Sequence, residues 1–162
     1  MNKTLITFFT ILFCLTSSVG WSLELKDLVE RDGIYYKKFS DVPFTGKITG
    51  QYQGTFKNGK INGSWVSFFD NGQLMHKGNW KNSKEDGYWL RYWDNGQFHQ
   101  KRNFKNGKLE GSFIGYHLSG NLNSKGEYKN GKKEGYWVSY FDNGTLYKEN
   151  TGTFKNGKKI SD

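Results

Sequence analysis

From Gly54 onward, apolar and polar positions alternate with a period of two, in runs interrupted by Asn-Gly pairs. Period-two alternation is the mark of a strand with one buried face. The pairs are Asn58-Gly59, Asn71-Gly72, Asn95-Gly96, Asn106-Gly107, Asn130-Gly131, Asn143-Gly144 and Asn156-Gly157, with Asn82-Ser83 and Ser119-Gly120 filling the gaps. Successive steps alternate between 13 and 11 residues until the last two, which are both 13. Each interval holds one strand of about 8–9 residues, about 28 Å long. Asn-Gly suits a type I′ turn, whose two central residues both need positive φ, so every pair is read as a two-residue hairpin tip. The pattern predicts an all-β fold: an elongated, single-layer antiparallel meander from about Tyr35 to Ile160, with no helix in residues 54–158.

Two-residue tips also predict the register. Around Asn71-Gly72, Asp70 pairs with Gln73, Phe69 with Leu74 and Trp65 with Gly78. Around Asn58-Gly59, Phe56 pairs with Ile61 and Gly54 with Gly63. Alternation then collects Phe56, Ile61, Trp65, Phe69, Leu74 and Trp80 on one face, continued by Trp89, Trp93, Phe98 and Phe104. Leu109, Phe113, Leu122 and Tyr128 extend it, followed by Trp137, Phe141, Leu146 and Phe154. This face is expected to be buried. Trp65 opposite Gly78 and Phe113 opposite Gly126 are read as aromatics covering strand glycines. The other face is expected to carry Val66, Leu90, Ile114 and Val138 opposite Lys77, Lys101, Lys125 and Glu149, together with Phe68, Tyr92, Tyr116 and Tyr140.

The hairpins form a repeat. Units run Lys57–Trp80, Lys81–Phe104, Lys105–Tyr128 and Lys129–Phe154; the first three have 24 residues and the fourth 26. An even insertion between Leu146 and Phe154 is expected to lengthen a strand without turning Phe154 over. Such short units cannot bury a core alone and stack into an array. Residues 54–162 are therefore the repeat region and residues 21–53 a cap and lead-in, with Pro43 and Asp41 blunting the edge over residues 33–50. Residues 1–20 read as a signal peptide: Lys3, an apolar run from Leu5 to Leu15, then small residues up to Gly20. Cleavage is placed after Gly20, with Ser22 as the alternative. An exported protein follows, periplasmic, cell-surface or secreted. Its mature chain would lack the single cysteine, Cys14, and carry a net charge of +9 − 1 = +8.

The units Gly63-Ser64-Trp65 through Asp70-Asn71-Gly72-Gln73-Leu74, closing on Lys57-Asn58-Gly59-Lys60 turns, resemble MORN repeats. More closely they resemble the bacterial MORN-variant family often described as an antitoxin component. Asp32-Gly33-Ile34-Tyr35-Tyr36-Lys37-Lys38-Phe39 and Pro43-Phe44-Thr45-Gly46-Lys47 resemble that group's lead-in. The resemblance implies hairpins stacked into a twisted sheet, and roles in scaffolding, membrane attachment or self-association.

No catalytic constellation is visible. His76, His99 and His117 stand at non-equivalent positions without Glu or Cys at ligand spacing, so no metal is expected. Gly-Lys here closes hairpins and opens no helix, which removes a phosphate loop. The chain is read as non-enzymatic, without cofactor and without a specific nucleic-acid partner. What remains is charge. Lys57 and Lys60, Lys81 and Lys84, Lys105 and Lys108, Lys129 and Lys132, and Lys155 and Lys158 flank five tips along one margin. Asp70, Asp94 and Asp142 mark the other. The lysine ladder either attracts an anionic membrane or polymer, or keeps a repetitive sheet soluble. Tyr92, Tyr116 and Tyr140 are the candidate protein-contact face. The leading function is an exported binding or scaffold protein. An immunity or antitoxin-like protein and a small secreted enzyme are the alternatives. An open edge leaves dimerisation available.

Overall fold

The computed structural model describes residues 22–162, and the signal-peptide reading lies outside them. A single 3-10 turn, Leu25–Asp27, precedes a two-stranded hairpin of β1 (Leu28–Arg31) and β2 (Ile34–Lys37). One open antiparallel sheet of 12 strands follows. It comprises β3 (Gly46–Ile48), β4 (Tyr52–Lys57), β5 (Lys60–Phe68), β6 (Leu74–Lys81), β7 (Lys84–Glu85) and β8 (Gly87–Tyr92). It continues through β9 (Phe98–Lys105), β10 (Lys108–Tyr116), β11 (Leu122–Lys129), β12 (Lys132–Ser139), β13 (Gly152–Lys155) and β14 (Lys158–Ser161). Strands neighbour in chain order, with β7 a short extension paired to β6. The meander is as expected, except that the sheet starts at Gly46 and Tyr35 belongs to the separate hairpin.

The turns are of two kinds, not one. At Lys-Asn-Gly-Lys tips both central residues have positive φ, as at Asn58 (50°) and Gly59 (73°), which is the two-residue type I′ turn. Ser83 (58°) takes the glycine position in the second tip. The Asp-Asn-Gly turns differ. Phe68 pairs with Leu74, not Phe69 with Leu74, and Gly72 N donates to Phe69 O at 2.9 Å. Gly72 is at φ 82° while Asn71 keeps an ordinary negative φ. This is a three-residue loop, a type I turn followed by a left-handed glycine that forms a bulge. The Asn71 side chain makes it possible by accepting from Gln73 N at 3.0 Å, and Asn95 and Asn143 repeat this at 2.9 and 3.0 Å.

The change is local: a compensating bulge between Ser67 and Phe68, repeated between Arg91 and Tyr92 and between Gly115 and Tyr116, restores the expected register further in, so only the positions next to the turn change face. Leu74, Phe98, Leu122 and Leu146 were expected on the tryptophan face and instead join Phe68, Tyr92, Tyr116 and Tyr140 on the other. Phe98 packs 5.7 Å from both Tyr92 and Tyr116, ring centre to ring centre. A second irregularity is even-numbered and therefore silent in facing. Phe56 pairs with Ile61, but Gly54 pairs with Trp65 rather than Gly63. Two extra residues are absorbed around Gly63 (φ 102°), and Gly87, Gly111 and Gly135 repeat the positive φ. The excursion frees a carbonyl for the next tip. Ser83 N donates to Ile61 O, Gly107 N to Glu85 O and Gly131 N to Leu109 O, each at 2.8 Å. Gly59 N reaches Phe44 O in the same way, which ties the cap to the first unit.

Leu28, Phe44, Ile48, Phe56, Ile61, Trp65, Trp89 and Phe104 form the core cluster on the tryptophan face. Trp137 and Phe154 are buried further along. Trp65, Trp89 and Trp137 are 8, 6 and 1 % exposed, in keeping with the expected burial. Phe141 is not: it is 47 % exposed. Trp65 pairs with Gly78 and Phe113 with Gly126 as expected, but the rings cover other glycines. Trp65 lies against Gly54, Trp89 against Gly78 and Trp137 against Gly126, while Phe113 leans on Gly115 rather than Gly126. The insertion in the last unit does not lengthen a strand. It forms a 3-10 turn, Lys148–Asn150, after which Phe154 still pairs with Gly135 and stays buried.

Candidate functional site

Alternation assigns the lysines a face. Phe56 and Ile61 point to the core, so their neighbours Lys57 and Lys60 point away from it, on the side of Val66 and Lys77. The same parity holds at every tip. Lys57 lies directly across from Lys60, Lys81 from Lys84, Lys105 from Lys108, Lys129 from Lys132 and Lys155 from Lys158. All ten are exposed. Like charges in direct cross-strand register are destabilising. Lys77, Lys101 and Lys125 stand on this same face, opposite Val66 and Leu90, between Leu90 and Ile114, and between Ile114 and Val138. The lysine ladder and the lysines of the sheet thus form one basic surface.

The tyrosines are placed differently from expectation. Tyr92, Tyr116 and Tyr140 are on the lysine face, but each is half-buried among its neighbours. The exposed aromatics of that face are Tyr88 and Tyr136, at 55 and 61 %. Tyr136 edges a groove of about 610 Å³ with Lys101, Ile114, Lys125, Glu134 and Val138. Lys101 Nζ sits 3.9 Å above the Tyr88 ring. Sequence reasoning missed both tyrosines. They directly precede Trp89 and Trp137 at positions filled by Ser64 and Ser112 in the other units, so the signal was a two-fold alternation within the repeat.

On the tryptophan face a second cluster escaped the sequence reading altogether. Cross-strand pairing sets Ser67 beside His76, His76 beside Arg91 and Arg91 beside Gln100, with Arg102 between Trp89 and Phe113. Burial and the Arg91 and Arg102 guanidiniums hold both His76 and His99 below the ordinary histidine value. His99 stacks on Trp93 with 3.6 Å between ring centres. Ser67 Oγ lies 3.2 Å from His76 Nδ1, but Ser67 is 1 % exposed and His76 is flanked by guanidiniums rather than a carboxylate. That pair therefore lacks both the access and the orienting acid of a hydrolytic triad. Among the described residues no group of three or more His, Cys, Asp or Glu is placed to hold a metal ion.

The depressed histidines carry a pH signature. Unfolded, they take up protons near pH 6.5; folded, they do so only at lower pH. Their contribution is fully present above that value and is lost as pH falls through it. The urea midpoint is expected to drop between pH 7.5 and 5.5, and the drop should shrink in a His76→Asn, His99→Asn double variant. An unchanged pH dependence in that variant would remove the histidines from the account.

An open array of hairpins with regular tips, glycine bulges and stacked aromatics defines a β-repeat protein. Sequence comparison gives it a family. The MORN repeat variant profile matches at residues 61–82, 85–106, 109–130 and 133–156, and the MORN repeat profile at residues 52–64. The chain belongs to the MORN repeat variant family. No curated protein matches it.

Proposed function

We propose that this protein is an exported, non-enzymatic binding module that lays its lysine face on an anionic surface, a membrane or a polymer. One observation carries the reading: five lysine pairs in direct cross-strand register, all exposed on the face that also holds Lys77, Lys101 and Lys125. Each pair works against the stability of its own hairpin. MORN repeats are common in binding and scaffold proteins, which agrees with a surface rather than a cleft as the working part.

The test is co-sedimentation with vesicles containing phosphatidylserine. Binding is expected at low salt and should fade toward physiological strength, where screening acts beyond about 8 Å. Each lysine near such a surface contributes about 1 kcal/mol. Changing Lys81, Lys84, Lys105, Lys108, Lys129 and Lys132 to Gln should therefore abolish binding, with the strand signal in circular dichroism retained. Changing Lys37 and Lys38 in the cap should leave most of it. Binding by the six-fold variant equal to that of the parent would reduce the ladder to a solubility device. The second reading is a dedicated protein partner, of the immunity or antitoxin kind. The exposed Tyr136 beside its groove favours it. Salt-insensitive binding of a purified partner, lost in Tyr136→Ala, would select that reading.

A further inference from the structure

The second unit departs from the repeat at two positions and the third at one, and cross-strand pairing sets Arg102 of the second beside Phe113 of the third. Arg102 stands where the neighbouring units have Gly78 and Gly126, and Arg91 where they have Ser67, Gly115 and Ser139. Phe113 replaces the tryptophan of Trp65, Trp89 and Trp137. The changes compensate one another. Elsewhere a tryptophan lies over a glycine of the neighbouring strand; here Arg102 takes the glycine's position, and the smaller Phe113 beside it leans onto Gly115. The sheet has thus made room for a guanidinium on its aromatic face, where repetition alone would have placed none.

The chain has three arginines, Arg31, Arg91 and Arg102. Arg31 is paired with Asp41 at 2.8 Å, but among the described residues neither Arg91 nor Arg102 has an ion-pair partner within 4.0 Å. Both have a buried Nε without a hydrogen-bond partner in the protein, as do Trp93 Nε1, His99 Nδ1 and Trp80 Nε1. Those five atoms are all the buried side-chain polar atoms left unpartnered among the described residues, and all lie between residues 80 and 102. Four of the five are obligatory donors. Glu85 is the carboxylate that bears on Arg102, and it too is partly desolvated and has no ion pair among the described residues. Buried donors and cations without acceptors are costly and seldom kept without a partner.

We propose that Arg91 and Arg102 form a binding site for an oxyanion, a phosphate or a carboxylate, walled by the stacked Trp93 and His99. Two guanidinium forks on one face match the planar or tetrahedral oxygens of such a group, and an acceptor-only ligand complements a site whose unpartnered atoms are mostly donors. The site is on the face opposite the lysine surface and stands independently of the function proposed above.

The experiment is a titration of the purified protein followed through the imidazole proton resonances of His76, His99 and His117. Inorganic phosphate and a tetraglutamate peptide are the two probes. His76 and His99 should move saturably while His117 stays, and the tighter probe identifies the source of the oxyanion. Arg102→Gly, which restores the residue of the neighbouring units, should weaken binding at least about tenfold, the usual loss for a charged hydrogen-bonding partner. Arg102→Gln keeps part of the aliphatic stem should the glycine variant loosen the sheet, and should show the same loss. The six-fold lysine variant should bind the probes as the parent does, so failure of the lysine surface and failure of this site are separable. If neither probe shifts His76 and His99 saturably, or if both Arg102 variants bind as tightly as the parent, no oxyanion site exists.

Discussion

Replacing Trp137 by Ala should destabilise the protein by about 3–5 kcal/mol, the range for removing a large aromatic from a core. Trp137 is the largest fully buried side chain among the described residues, 1 % exposed. Its ring centre lies 4.9 Å from that of Tyr128 and 5.5 Å from that of Phe113, and its Nε1 donates to Glu127 O at 2.9 Å. Lys133 Nζ sits 4.5 Å from the ring centre on its way to Phe154. The side chain therefore joins β10, β11, β12 and β13. In an array whose units touch only their neighbours, that loss falls on one interface. The urea midpoint should drop, and hydrogen exchange should show β13 and β14 opening first. Phe141→Ala is the matched control, since the sequence pattern placed both aromatics on one buried face. With Phe141 47 % exposed, its loss should be within about 1 kcal/mol. Equal effects at the two positions would return Phe141 to the core and extend the buried face past the end of β12.

Much of the fold is legible in the sequence because repetition averages out local ambiguity. Trp65, Trp89, Trp137, Phe56, Phe104 and Phe154 occupy the face that period-two alternation gives them, since the only irregularity between them and the lysine tips inserts two residues and preserves parity. What alternation cannot show is an odd bulge. Asn58-Gly59 and Asn71-Gly72 are the same dipeptide, yet the first is a two-residue tip and the second the end of a three-residue loop. The residue before each pair separates them in this chain: Lys precedes the first kind and Asp the second. One miscounted residue sent Leu74, Phe98, Leu122 and Leu146 to the wrong face.

The sites show the same division. The lysine ladder is legible because it repeats, and the structure adds that each pair is in direct register. The Arg91 and Arg102 cluster was not found because a reading tuned to the repeat treats departures from it as noise. Laying the units over one another would have exposed it: Gly78, Arg102 and Gly126 are one position, and Trp89, Phe113 and Trp137 another. Burial, which only coordinates supply, is what turns those departures into unpartnered donors.

Gly78→Ala is expected to cost about 1–3 kcal/mol through overpacking alone. Gly54, Gly78, Gly115 and Gly126 differ from the turn and bulge glycines in having ordinary strand φ, so backbone freedom is not what they supply. They supply space. A Cβ on Gly78 would fall under 3.0 Å from three ring atoms of Trp89, which is buried among its neighbours and bonded from Nε1 to Asn79 O at 3.1 Å. The indole cannot withdraw without breaking that bond and its edge contact with Trp80, 5.3 Å away. The chain has already solved this problem once, pairing a large residue at Arg102 with the smaller Phe113. A double-mutant cycle copies that solution. Trp89→Phe alone should destabilise by its lost packing and hydrogen bond, but in the Gly78→Ala background it should cost less. The coupling should fall within about 0.5–3 kcal/mol, the range for residues in contact. Equilibrium urea denaturation of the parent, both single variants and the double variant measures it. Strict additivity would mean that the methyl group and the indole do not compete for one space, and that the glycine is kept for another reason.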